Sequence, residues 1–150
     1  MGEGKDRYKL VVLALIAVHL AIAIPLAYHL NIWSDEGSSL YTTQHGLYAA
    51  ITGGITDEKQ APLYFGILSL WRMINGSIFF ARMLSVIFSV LAIKYFADLA
   101  AELFDRRTAL PITAFFALHP FLFWASLEIR TYSLVLLISI LIVRYFFKGF

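Results

Sequence analysis

Residues 10 to 30, LVVLALIAVHLAIAIPLAYHL, contain no Asp, Glu, Lys or Arg. A run of about 20 apolar residues is long enough to cross a hydrocarbon layer of about 30 Å. This feature constrains the chain most: it points to an integral membrane protein. Composition agrees. Of 150 residues, 60% are hydrophobic and 15% charged, whereas a soluble domain is about half apolar and a quarter charged. The segment is not read as a cleaved signal peptide. AIA at 21 to 23 resembles a cleavage site, but the apolar run continues past it. With no cysteine, disulfides and thiolate metal sites are excluded. A net charge of +2, with basic residues at segment ends, gives no argument for nucleic acid as a partner.

Three further spans are expected, at about 78–101, 109–125 and 131–147, with Pro120 bending or ending the helix of the middle one. The run 62–74, PLYFGILSLWRMI, is too short to span. Its large apolar residues recur at helical spacing, so it reads as a helix lying in the interface. Asn75-Gly76 ends it, and Asn75-Gly76-Ser77 also matches a glycosylation sequon that lies close to the membrane. A second interfacial helix is expected at about 38–52, with Ser38 or Ser39 as its cap and Gly53-Gly54 ending it. The fold class is therefore all-α integral membrane: one domain over residues 1–150, with four transmembrane helices and two amphipathic interfacial helices in the first outer loop.

The positive-inside rule orients this arrangement. With four spans, Lys5/Arg7/Lys9, Lys94, Arg106/Arg107 and Arg144/Lys148 share one side. Both termini are then cytoplasmic in a multi-pass cell-membrane protein, and loops 31–77 and 119–130 are extracytoplasmic. Lys94, Asp98, Glu102 and Arg106 follow at i, i+4 spacing and read as a paired, snorkelling helix end without chemistry. His19, deep in the first span, reads as packed among helices.

Polar chemistry gathers on the outer side in two islands. The first is SDEGSSLY, 34–41, with the adjacent carboxylates Asp35 and Glu36. The second is HPFLFWASLEIRTYSL, 119–134, where Glu128 and Arg130 interrupt an aromatic and aliphatic stretch. Ionisable residues this close to hydrocarbon usually face a partner or a wet cavity. Arg82, near the outer end of the second span, has a guanidinium fork suited to phosphate or to headgroups. TDEKQAP, 56–62, containing Glu58 and Lys59, reads as a solvated turn before Pro62 starts a helix.

Together these stretches resemble the N-terminal part of a GT-C-type membrane glycosyltransferase. The nearest likeness is to the dolichyl-phosphate-mannose–protein mannosyltransferase-like group (family 39) and its aminoarabinose-transferase relatives. SDEGSSLY is similar to the acidic motif of the family's first outer loop, and APLYFGILSLW to PPLYY…LW. ARMLSVIFSVLAI, with Arg82 and Ser85, resembles RLPS, and HPFLFWASLEIRTYSLVLL resembles NPFxxWxSQEARMYSLxLL. The order holds from residue 31 to 144. The chain departs at Gln60-Ala61-Pro62, where the family often has His-Pro-Pro, and at Leu127, where Gln is usual. Family members run to several hundred residues, and the resemblance covers only their N-terminal part.

The resemblance implies transfer of a sugar from a polyprenyl-phosphate donor to a protein or glycolipid acceptor on the outer face, with inversion. Asp35 and Glu36 are the candidate catalytic carboxylates. They cannot easily point the same way, and the resemblance gives the role of base to Asp35. Lys59, Arg82, Glu128, Arg130 and Tyr132 are the candidate substrate-binding residues, the cations serving the leaving phosphate. No cofactor is expected. A divalent cation held by Asp35 and Glu128 is the alternative, because oligosaccharyltransferase relatives use a metal there. A non-catalytic four-span subunit or a small transporter component is the rival function. A transporter would place polar groups near mid-bilayer, whereas here they gather at one face.

Overall fold

The computed structural model describes residues 3–149, with side chains from residue 6 onward; the Lys5 side chain, part of the first basic cluster, lies outside the described residues. Among these residues there are eight α-helices and no strand: α1 (Glu3–His29), α2 (Ser34–Thr42), α3 (Leu47–Thr56), α4 (Pro62–Arg72), α5 (Ile78–Leu103), α6 (Arg106–Ala117), α7 (Pro120–Leu127) and α8 (Tyr132–Gly149). Three are long and apolar enough to cross a membrane: residues 6–29, 78–103 and 132–149. The third expected span is not one straight helix. α6 and α7 meet the criterion only as a pair, bent by 50°. The physical cause is Pro120, which cannot donate to the α6 ladder; His119 ends one helix and caps the next, its Nδ1 accepting from the Phe121 N–H at 3.2 Å.

α5 is the central element, packed against α1, α6, α7, α8 and α4. Small buried residues allow close approach: Ala23 and Ala27 on α1, and Ala81, Ala92, Ala97 and Ala100 on α5. Ser77 starts α5 by accepting from the Phe80 N–H at 3.2 Å, and Asp105 starts α6 by accepting from the Thr108 N–H at 2.9 Å. His19 is fully buried. It is stacked on Phe123 at 4.5 Å and bonded through Nδ1 to the Ala117 carbonyl at 3.2 Å, so it joins α1 to α6 and α7. The outward faces of α1 and α8 stay apolar, with Leu10, Leu13, Val135 and Ile142 exposed, as a hydrocarbon solvent requires.

The loop between α1 and α5 differs from the expected single helix at 38–52. In place of that one helix stand two, α2 and α3, broken at Gly46, whose φ of +91° suits glycine. α2 begins at Ser34, so Asp35 and Glu36 belong to its first turn rather than to a linker before it. Neither Ser38 nor Ser39 caps it; Glu36 does, accepting from the Trp33 N–H at 3.1 Å. Gly53 and Gly54 lie inside α3 rather than ending it. A Cβ at Gly53 would meet Thr42 Cγ2 at 2.9 Å, and one at Gly54 would meet the Phe65 ring at 2.8 Å, so both are close-packing positions. Ala50, Tyr64, Phe65 and Leu68 then seat α3 and α4 on Ala81 and Leu84 of α5, together with Ile129 and Leu134.

Candidate active site

α2 points its N-terminal turn at the end of the bundle, where helix polarity favours carboxylates. Its two acidic residues diverge completely. Glu36 is fully buried and takes Arg82 in a two-pronged pair, Nε to Oε1 at 2.9 Å and Nη2 to Oε2 at 2.7 Å. The same carboxylate also accepts from the N–H groups of Trp33 and Ile129, the latter at 3.2 Å. The Arg82 guanidinium is equally committed: its other three N–H groups go to the carbonyls of Ala27, Leu30 and Asn31 at 3.0, 2.7 and 2.9 Å. The pair therefore ties the end of α1, the start of α2, the first turns of α5 and the segment before α8 into one unit. A buried ion pair survives desolvation only when its remaining hydrogen-bonding capacity is met, as it is here. Arg82 keeps no N–H for a phosphate or headgroup, and Glu36 is sealed from solvent. Both sit behind the site rather than in it.

Asp35 points the other way and is 62% exposed. It shares a cleft of about 290 Å³ with Trp33, Ser34, Trp124, Glu128 and Tyr132. Local geometry explains how residue 128 arrives there. Glu128 ends α7 in an extended conformation (φ −86°, ψ 134°), and side chains alternate along extended backbone. Ile129 turns inward and is fully buried, which directs Glu128 and Arg130 outward towards α2. The Glu128 backbone is fixed by Ser85 of α5, whose hydroxyl donates to its carbonyl at 2.7 Å. Its carboxyl has no hydrogen bond to a described residue. Burial pushes that carboxyl above the ordinary carboxylate range, the neighbouring charges of Glu36 and Asp35 add to the rise, and Arg82 and Arg130 oppose it.

Arg130 backs the cleft. Its guanidinium contacts Asp35 at 3.2 Å, Glu58 through Nη1, and Ser39 Oγ at 3.3 Å. Its Nε is buried with no partner. Glu58 is the site residue that the sequence concealed: read as part of a solvated turn, it instead accepts from Ser38, Thr42 and Arg130. Burial alone would raise the Glu58 carboxyl. The Ser38, Arg130 and Thr42 bonds and the adjoining guanidinium reverse that and hold it below the usual range. No local sequence signal reveals this, because the three partners come from two other segments.

The aromatic wall is equally non-local. Tyr132 and Trp124 are tilted against each other at 4.6 Å, and Trp33 is two-thirds exposed at the rim. An aromatic face of this kind offers a flat apolar surface with a polar edge. The structure thus brings Asp35, Glu128, Arg130 and Tyr132 together. It keeps Glu36 and Arg82 locked behind them and leaves Lys59 exposed on the 57–60 turn (φ +52°), away from the cleft lining. Among the described residues, no three His, Asp or Glu side chains are arranged to hold a metal ion. Compared with protein-family models, with curated proteins and with solved structures, the chain matches none.

Proposed function

We propose that the cleft transfers a sugar from a polyprenyl-phosphate donor to an acceptor hydroxyl at the extracytoplasmic face, and that α1 to α8 form part of a GT-C-type fold with both termini cytoplasmic. One observation carries this reading: two carboxylates from distant segments, Asp35 and Glu128, line one aromatic-walled cleft backed by a guanidinium, at the end of a bundle of apolar helices. The apolar surroundings suit a donor whose isoprenoid tail stays in hydrocarbon while its head reaches the cleft.

In this reading Asp35 takes the acceptor hydroxyl proton. The acceptor oxygen then bonds to the anomeric carbon on the face opposite the phosphate, the bond from that carbon to the phosphate oxygen breaks, and the lipid phosphate leaves with the electron pair. The configuration inverts. Arg130 holds Asp35 in place and is the cation nearest the departing charge. Glu128, whose carboxyl has no hydrogen bond to a described residue, is left to bond the donor head. Tyr132, Trp124 and Trp33 supply the surface on which the sugar lies. Arg82 and Glu36 act only by positioning the loop. Protein or glycolipid hydroxyls are the acceptor class, and no metal step is needed.

The test is transfer from a radiolabelled polyprenyl-phosphate sugar in membranes containing the full chain. Asp35→Asn is expected to lower the rate by about 10²- to 10⁴-fold, the usual scale for a general base, with insertion unchanged. Equal rates in the variant and the parent chain would remove Asp35 from the reaction and leave a non-catalytic membrane subunit as the better reading.

A further inference from the structure

At the opposite end of the bundle, α1 and α5 leave a groove of about 520 Å³ between them. Val12, Ile16, Ala97 and Ala101 form its apolar floor, the exposed Leu13 lies at its edge, and Lys9, Lys94, Arg106, Asp98 and Glu102 stand at its mouth. Tyr8 fixes the two walls by donating to the Ala97 carbonyl at 2.7 Å.

The charges at this mouth are unbalanced in a specific way. Asp98 is matched by Lys94 at 3.4 Å and by Arg144 of α8 at 3.1 Å. Glu102 is matched by Arg144 at 2.7 Å and by Lys148 at 3.3 Å. Both carboxylates are therefore neutralised by other residues. Lys9 on α1 and Arg106 at the start of α6 are exposed and have no hydrogen bond or ion pair to any described residue. An apolar floor beneath two uncommitted cations, at the end of membrane-length helices, has the chemistry of a phospholipid with an anionic head. Covering the groove with another apolar helix would strand those cations in a poorly hydrated place without a counter-charge, which is costly. A free phosphate ion would gain nothing from the floor. Only an acidic lipid satisfies both parts.

We propose that this groove binds one acidic glycerophospholipid, its acyl chain along Val12, Ile16 and Ala101 and its phosphate between Lys9 and Arg106. This site is separate from the carboxylate cleft and does not depend on the sugar-transfer reading.

Native mass spectrometry of the purified full chain tests it, with dioleoyl-phosphatidylglycerol and dioleoyl-phosphatidylcholine added in equal amounts. One phosphatidylglycerol should be retained with a preference of about 30-fold, the scale set by two nearby basic residues. The Lys9→Gln/Arg106→Gln chain should lose that preference. Arg7→Gln/Arg107→Gln, with the same charge change outside the groove lining, should keep it. Ala101→Phe should weaken retention by filling the floor while leaving the charge unchanged. Equal retention of the two lipids would overturn the proposal, as would identical behaviour of the two double variants. A lipid-free dimer would do the same, by showing that a second copy covers the groove.

Discussion

The bundle carries an ion-pair network at each end, and the two are built from the same residue types to opposite effect. At one end Glu36 and Arg82 are 0% and 2% exposed, and every donor and acceptor on the pair is occupied. At the other, Asp98, Glu102 and Lys148 keep 37 to 47% of their side-chain surface exposed, and only Arg144 is well covered. The first network locks the start of α2 onto the end of α1, α5 and the segment before α8. The second joins α5 to α8 where water competes for each charge. The contrast teaches that an ion pair's role follows from its burial and from how many backbone groups it engages, not from its length: the Arg82–Glu36 and Arg144–Glu102 contacts are both 2.7 Å.

The sharpest way to break this comparison is to remove one partner at each end. Arg82→Met leaves Glu36 buried and uncompensated, and is expected to destabilise the chain by about 3–5 kcal/mol. Denaturant unfolding in detergent checks this, and a loss below 1 kcal/mol would show that the pair does not anchor the loop. An intermediate effect should come from Glu128. Its folded-state pKa is raised above the ordinary 4.5, so the stability it contributes is present below that value and is lost as pH rises through the raised folded value. Glu128→Gln should therefore flatten the melting-temperature profile on the alkaline side of pH 4.5, and an unaltered profile would contradict the assignment. Glu58 has the opposite sign. Held below its ordinary range, it loses its contribution as pH falls through its depressed folded value. The smallest effect belongs to Glu102→Gln, expected to cost less than about 1 kcal/mol because exposed pairs are screened. A cost comparable to that of Arg82→Met would erase the distinction between the two ends.

How much of this was legible in the sequence depends on the range of the signal. The helix over 10–30 follows from an uninterrupted apolar run and those over 78–101 and 131–147 from mainly apolar ones, and the structure places helices over each of them. Pro120 marked the break that bends α6 against α7, although the run 109–125 reads as continuous. The loop between α1 and α5 was harder. Gly53-Gly54 carries the same local signal whether glycine ends a helix or admits a neighbour, and only the nearness of Thr42 and Phe65 separates the two. Asp35 and Glu36 were recognisable as a pair that must diverge. Which one is buried depended on Arg82 and Ile129, from α5 and the segment after α7, which no local pattern connects to α2. Glu58 looked like part of a solvated turn for the same reason. The aromatic wall of Trp33, Trp124 and Tyr132 likewise exists only once two segments meet.

The most direct test of the central claim is photolabelling with a polyprenyl phosphate bearing a photoreactive sugar, followed by peptide mapping of the full chain in membranes. The account predicts adducts on the segments 33–35 and 124–132 that are competed away by unlabelled donor. Adducts confined to other segments, or labelling of these two that excess donor does not reduce, would contradict it.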